Sequence, residues 1–150
     1  MTNNIDTDTS KVDETKRFLK RYRKNKELIR RLEDKLISYE ERLISLRSPV
    51  ITDLPKGGIP TPKDEIIADK LETFERINRL KERGKVIRAE ILEAIDTLDS
   101  ARHADILEAF CIECKSFDEI AEDKGYSERR VIAIYTEAIR RLSNISNISN

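Results

Sequence analysis

The chain has 150 residues, 29 basic and 29 acidic, so its formal net charge is zero; 39% of residues are charged, 5% are aromatic and none is Trp. That composition excludes a compact globule with a large core and suits long helices, which leave most of their surface in water. No run of about 20 apolar residues occurs and the start, MTNNIDTDTS, lacks an apolar signal core, so neither a membrane span nor a secretory signal is expected and the cytoplasm is the default location.

Residues 1–12 are polar and are expected to be disordered. From 13 to 47 the pattern is helical. Tyr22, Ile29, Leu32, Leu36, Tyr39, Leu43 and Leu46 alternate by three and four, with Asn25 in the one gap. This is a heptad seam, and a polar Asn25 on it favours one register at some cost in stability. Charge is concentrated here: residues 13–31 carry nine Lys/Arg against three acids, a local +6. Lys16, Arg17, Lys20, Arg21, Arg23 and Lys24 are candidates for a sequence-blind, salt-sensitive DNA contact. A solubilising surface is the equal alternative.

Residues 48–62, SPVITDLPKGGIPTP, exclude helix through their prolines and Gly57-Gly58. The connection is long for two helices. A second long helix is expected from about 63 to 98, with Thr61 as cap, Pro62 in its first position, and Asp64 and Glu65 suiting its positive end. Its seam reads Ile66, Ile77, Leu80, Ile87, Ile91, Ala94 and Leu98, with Leu71 and Phe74 beside it. Two helices of near-equal length, each about 50 Å at 1.5 Å per residue, predict an antiparallel hairpin over 13–99 or, alternatively, pairing between chains in a homodimer. Gly84 weakens the second helix and marks a point of close backbone approach.

A third helix over 101–114 presents Ile106, Leu107, Phe110 and Cys111 at core spacing. Cys111 and Cys114 form a CxxC on one helix face, but His103 is the only histidine. A zinc site needs four ligands, so the thiols are read as buried or idle, no metal is expected, and His103 is read as a surface or capping residue. Residues 96–123 carry nine acids against two bases, a local −7, and residues 124–142 five bases against two acids, a local +3.

The stretch Ser116–Leu142 carries the functional argument. Ser116 and Glu119 have capping-box spacing, Ala121 is small where two helices would cross, Gly125 can take a positive φ, and Ser127 suits a second N-cap. Ile120, Val131, Ile134 and Ala138 form an inward stripe. These features predict a helix-turn-helix, which places its second helix in a DNA groove. Glu128, Arg129, Ile132, Ala133 and Thr136 then face outward. Arg129, in the first turn, is the candidate base reader, because Arg binds guanine with two donors; Arg130, Arg140 and Arg141 are candidate phosphate contacts. The apolar Ile132 and Ala133 suit thymine methyls or a protein surface. The acids Asp118, Glu119, Glu122 and Asp123 would repel phosphate, so their face is expected to point away from DNA. No nucleophile–base pair, phosphate loop or carboxylate cluster for a metal occurs, so no enzyme and no cofactor is expected.

The segment DEIAEDKGYSERRVIAIYTEAIRRL resembles region 4 of bacterial sigma factors. Asp118–Ala121, Gly125-Tyr126-Ser127, Arg130-Val131, Ile134, Ala138-Ile139 and Leu142 match that frame, and residues 101–142 are covered. The wider layout is similar to small phage-encoded proteins with two long helices, a Pro/Gly-rich connection and a terminal sigma-like helix-turn-helix, and the last part to late-transcription activators of phages of Gram-positive hosts. The resemblance implies a phage or prophage origin, a transcriptional role in the host cytoplasm, and functional residues at Ser127, Glu128, Arg129 and Arg130. Sigma factors commonly have Arg and Gln where this chain has Ile132 and Ala133.

The sequence thus predicts an all-α protein: a disordered start (1–12), a long antiparallel helical hairpin or coiled coil (13–99), a three-helix helix-turn-helix domain (100–142) and a flexible tail (143–150). The expected partner is double-stranded DNA, met by Ser127, Glu128, Arg129, Arg130, Ala133, Thr136, Arg140 and Arg141, with RNA polymerase or another host protein as a second partner. Two other readings are a phage protein that binds a host protein through the helical scaffold and a small terminase subunit that forms rings through its long helices.

Overall fold

The structure, a computed structural model, describes residues 3–47 and 61–145, with side chains from residue 8 onward. The described residues are helical, without strands: α1 (Asn3–Ser45), α2 (Pro62–Ile95), α3 (Ala101–Cys111), α4 (Phe117–Lys124) and α5 (Glu128–Ile145). No helix among them is long and apolar enough to cross a membrane. The Pro/Gly-rich stretch 48–60 and the end of the tail, 146–150, lie outside the described residues.

Helices α2 to α5 each start where a side chain can satisfy their first N–H groups. At α2 the cap is reciprocal: Asp64 N–H donates to Thr61 Oγ1 (3.2 Å) and Thr61 N–H to Asp64 Oδ2 (3.3 Å). Ser100, Ser116 and Ser127 accept from the N–H groups of His103, Glu119 and Arg130 at 3.4, 3.2 and 3.2 Å. Gly125 ends α4 at φ +71°, and Tyr126 N–H closes back on Ala121 O at 3.0 Å, a Schellman-type stop.

Three boundaries differ from the sequence expectation. Residues 3–12, expected to be disordered, are helical. Val12 packs on a core cluster and Thr15 is buried, so packing carries the helix back past the polar start. Helix α3 ends at Cys111 rather than residue 114. Cys114 adopts φ +58°, and Lys115 N–H donates to Ala109 O at 3.1 Å, so the two sulfurs do not share a helix face. Helix α5 runs on to Ile145, because Ser143 is buried and donates from Oγ to Arg140 O (2.7 Å).

The chain divides into two compact units, Met1–Lys24 with Gly84–Asn150, and Asn25–Arg83. The division therefore falls within α1 and α2, not at the expected 99/100 boundary. In the first unit, Leu19 and Tyr22 of α1 and Ile87, Ile91 and Ile95 of α2 share one cluster with Ile106, Leu107, Phe110, Ile120, Val131, Ala138, Ile139 and Leu142. Each large aliphatic side chain fully buried here contributes about 1.5–3 kcal/mol before entropy is counted. Phe110 stacks on Phe117 at 4.6 Å, and Tyr135 meets both rings edge-on at 4.9 and 5.1 Å, a favoured aromatic geometry.

In the second unit Ile29, Leu32 and Ile77 form the core, with Leu28, Leu36 and Leu80 against it. Asn25 Nδ2 donates to Leu80 O (3.1 Å), and ion pairs join Glu33 to Lys81 (3.8 Å) and Glu40 to Lys70 (3.4 Å). Ile29 and Leu32 of α1 thus pack with Ile77 of α2, and Glu40 of α1 reaches Lys70 of α2. The α1 seam holds as far as Leu43, and Leu46 is exposed. On α2 the seam of this unit also includes Lys70 and Thr73, whereas Leu71 and Phe74 stand exposed; the buried Gly84 belongs to the first unit.

Candidate nucleic-acid interface

The site is built by the seating of α5. Val131, Tyr135, Ala138, Ile139 and Leu142 are buried, which turns Glu128, Arg129, Ile132, Ala133, Thr136 and Arg140 to solvent. The sequence stripe located Val131 and Ala138, and Ile134 is half-buried. Tyr135 and Ser143 were missed, although with Val131 and Ile139 they continue a four-residue spacing that was legible.

The first turn is the basic end. Ser127 is exposed, and its hydroxyl caps α5. The Arg130 guanidinium lies 4.3 Å from the centre of the Tyr126 ring, a cation–π contact that fixes its direction. Arg129 is exposed and has no polar partner among the described residues, so all five of its donors remain open to a ligand. The Glu128 carboxyl is pushed up from its ordinary value, first by hydrogen bonding to the Asp118 carboxyl and then by its charge.

Further along α5 the cations are already paired. Glu137 accepts from Arg140 Nη2 (2.9 Å to Oε2) and from Arg141 Nε (3.2 Å to Oε1), and these two bonds hold its carboxyl below the ordinary range. The sequence reading passed over Glu137, whose i+3 and i+4 spacing to the two arginines was the available signal. Thr136 donates its hydroxyl to Ile132 O at 2.8 Å, so it faces outward with its hydrogen turned inward. Ile132 is 41% exposed and Ala133 is exposed.

The α1 cations separate into two kinds. Arg17, Lys20 and Lys24 are exposed and Lys16 is half-buried; Arg17 Nε reaches Asp13 O at 3.4 Å. Arg21 and Arg23 do not stand open as expected. Arg21 pairs with Glu90 at 2.6 Å and lies over the Phe18 ring. Arg23 Nη1 donates to Phe110 O (2.8 Å) and Lys115 O (3.2 Å), and its guanidinium stacks on Phe110 at 4.2 Å. Arg23 thus ties α1 to the end of α3, a role that a count of charges cannot distinguish from a solvated one.

The acids of α4, Asp118, Glu119, Glu122 and Asp123, are exposed or nearly so. Lys115 joins Asp123 (2.8 Å) and Glu113 (3.3 Å), bonds that push its ammonium pKa up. These groups line a cleft of about 540 Å³ with Asp105, Glu108 and Lys124. Among the described residues no three His, Cys, Asp or Glu side chains are grouped to hold a metal. Cys111 is buried and its thiol is pushed up to about 12, mainly by desolvation, which makes it a poor nucleophile. His103 is neither a surface nor a capping side chain. It is half-buried with Nδ1 unpartnered, and desolvation followed by the charge of Arg141 lowers its pKa.

No protein-family model, no curated protein and no solved structure matches the chain.

Proposed function

We propose that this is a DNA-binding transcriptional regulator of phage or prophage origin that acts in the bacterial cytoplasm, with α4, the Gly125 turn and α5 working as a helix-turn-helix beside a hairpin of α1 and α2. The observation that carries the reading is the solvent face of α5. Its first turn presents Arg129 with every donor open and Arg130 braced on Tyr126, on a helix held by its opposite side. In this reading Arg129 reads a base edge, Arg130 and Arg140 meet phosphates, and Ala133 and Thr136 touch the groove. Asp118 meets Glu128 at the edge of α5 and Asp123 is held by Lys115, while Glu119 and Glu122 of α4 remain exposed to a protein such as RNA polymerase.

The test is a titration of the full chain with a pool of random-sequence 30-base-pair duplexes at low salt, followed by selection of the bound fraction. Arg129→Ala with Arg130→Ala is expected to weaken binding by at least about tenfold. Binding as tight as wild type would show that α5 is not the reading helix.

A second reading, protein docking through α5, is favoured by the exposure of Ile132 and Ala133. Ile132→Gln would then abolish capture of the protein partner and leave duplex binding unchanged.

A further inference from the structure

In the second unit, Ile37, Ile44, Ile67, Leu71 and Phe74 are 46–64% exposed. Each directly follows a seam position: Leu36, Leu43, Ile66, Lys70 and Thr73. In two antiparallel right-handed helices, the residue after the seam projects to the same side of the pair from both helices. Glu33, Glu40 and Lys81 follow seam positions too, and the Glu33–Lys81 and Glu40–Lys70 ion pairs bridge the helices. The five apolar side chains therefore share one face, and the seven-residue steps Ile37–Ile44 and Ile67–Phe74 run along it in parallel with the seam.

Each side chain leaves on the order of 80–100 Å² open, so the face presents roughly 400–500 Å² of apolar surface, as large as the largest patches on ordinary monomers. Two such faces pressed together bury about 800–1,000 Å², and their charged rims bring the total to the ~1,200 Å² at which stable interfaces begin. We propose that this face is covered by the same face of a second copy of the chain, giving a two-fold dimer built on a four-helix bundle. Three observations choose a second copy. The two acids beside the patch, Glu33 and Glu40, are paired with Lys81 and Lys70 inside each chain, so the patch itself is apolar and suits an apolar partner face rather than a strongly charged one. The heptad spacing of the outer stripe matches a helical partner with the same repeat. The buried core of this unit is thin, with Ile29, Leu32 and Ile77 at its centre, and a two-fold mate would thicken it. The proposal is independent of the DNA-binding reading.

The test is the molar mass of the full chain by sedimentation from about 1 to 100 μM. The expected result is a dimer of twice 17.4 kDa, with Ile37→Glu plus Phe74→Glu weakening association at least about 100-fold while far-UV circular dichroism stays unchanged. If that double variant loses helix, Leu71→Glu, read in the same way, decides. A wild-type monomer across the range overturns the proposal, as does a dimer that the variants leave intact. A wild type that dimerises only after Val50, Ile51, Leu54 and Ile59 are changed to Ser would assign the face to the chain's own connection and overturns it equally.

Discussion

Arg23 of α1 donates to the carbonyl of Phe110 at 2.8 Å and stacks on the same residue's ring at 4.2 Å. One guanidinium thus satisfies a carbonyl at the end of α3, where helical partners run out, and covers the edge of the Phe110–Phe117–Tyr135 cluster. Arg23→Ala is expected to lower the unfolding free energy by about 2–3 kcal/mol, from the lost charged hydrogen bonds and the cation–π contact. Arg23→Lys should recover less than half, because an ammonium cannot fork to two carbonyls while lying flat on a ring. Urea unfolding followed by circular dichroism checks both; equal stability of the alanine variant and wild type would refute the clamp.

Gly125 sits at φ +71° with open space where a Cβ would stand. Gly125→Ala is therefore a nearly pure backbone test, expected to cost about 1–2 kcal/mol. Gly125→Asn should cost less, since Asn tolerates the left-handed region better. A thermal-unfolding series ranking Gly, Asn, Ala from most to least stable is the expected order.

Asn25 is 7% exposed, its Nδ2 bonded to Leu80 O and its Oδ1 left without a partner. A buried unsatisfied oxygen costs about 1–3 kcal/mol, and Leu80 O keeps its helical bond when the amide is removed. Asn25→Leu should raise stability by about 1 kcal/mol and weaken the preference for a single register. Cysteine pairs engineered across α1 and α2 would then cross-link at shifted positions as well as the native one, which wild type should not do.

Glu137 pairs with Arg140, which faces the proposed duplex, and with Arg141 beside it, offsetting one of their two charges. Glu137→Gln should raise duplex affinity several-fold at low salt and steepen the salt dependence, because both guanidinium groups become available to phosphate. An unchanged affinity in anisotropy titrations would remove these two arginines from the interface. The lowered carboxyl pKa gives a second readout. The stabilisation from the ionised Glu137 is present above its unfolded pKa and fades as pH falls through the lower folded value, and the Gln variant should lack that acid-side component.

Burial pushes the Cys111 thiol from 9 to about 12 and the Tyr135 phenol from 10 to about 12, with Arg23 offsetting part of each shift. Both groups hold their protons longer when folded than when unfolded. Their contribution is complete below pH 9 and is lost as pH climbs toward 12. Alkaline unfolding should begin in that window, and Cys111→Ala with Tyr135→Phe should move its midpoint upward. A midpoint identical to wild type would rule these groups out as its cause.

What the sequence made legible was local. Thr61, Ser116, Gly125 and Ser127 act within a few residues of themselves, and the caps and the turn stand where residue type placed them. The seams were legible because a helix turns a fixed angle per residue. What escaped was set by distant packing. No local signal joins Leu19 and Tyr22 to α3 and α5, and nothing in the spacing of lysines and arginines distinguishes Arg23, which clamps, from Lys24, which is solvated. Cys114 has no intrinsic preference for a left-handed conformation, so the end of α3 could not be read from it. In the candidate site, exposure of α5 followed from its stripe, but the pairing of Arg140 and Arg141 by Glu137 required attention to an acid inside a basic patch.

The shared cluster of Leu19, Tyr22, Ile87, Ile91 and Ile95 with α3, α4 and α5 has a consequence for descent. The carboxy-terminal helices are not a cassette that recombination can move alone: a transplanted α3–α5 would arrive with Ile106, Phe110 and Ile139 stripped of cover. Two stretches far apart in the gene must be inherited and altered together with the stretch that follows them. Variation among descendants is expected to be correlated between the start of α1, the end of α2 and the inner side of α5, while the outer side of α5 changes on its own schedule.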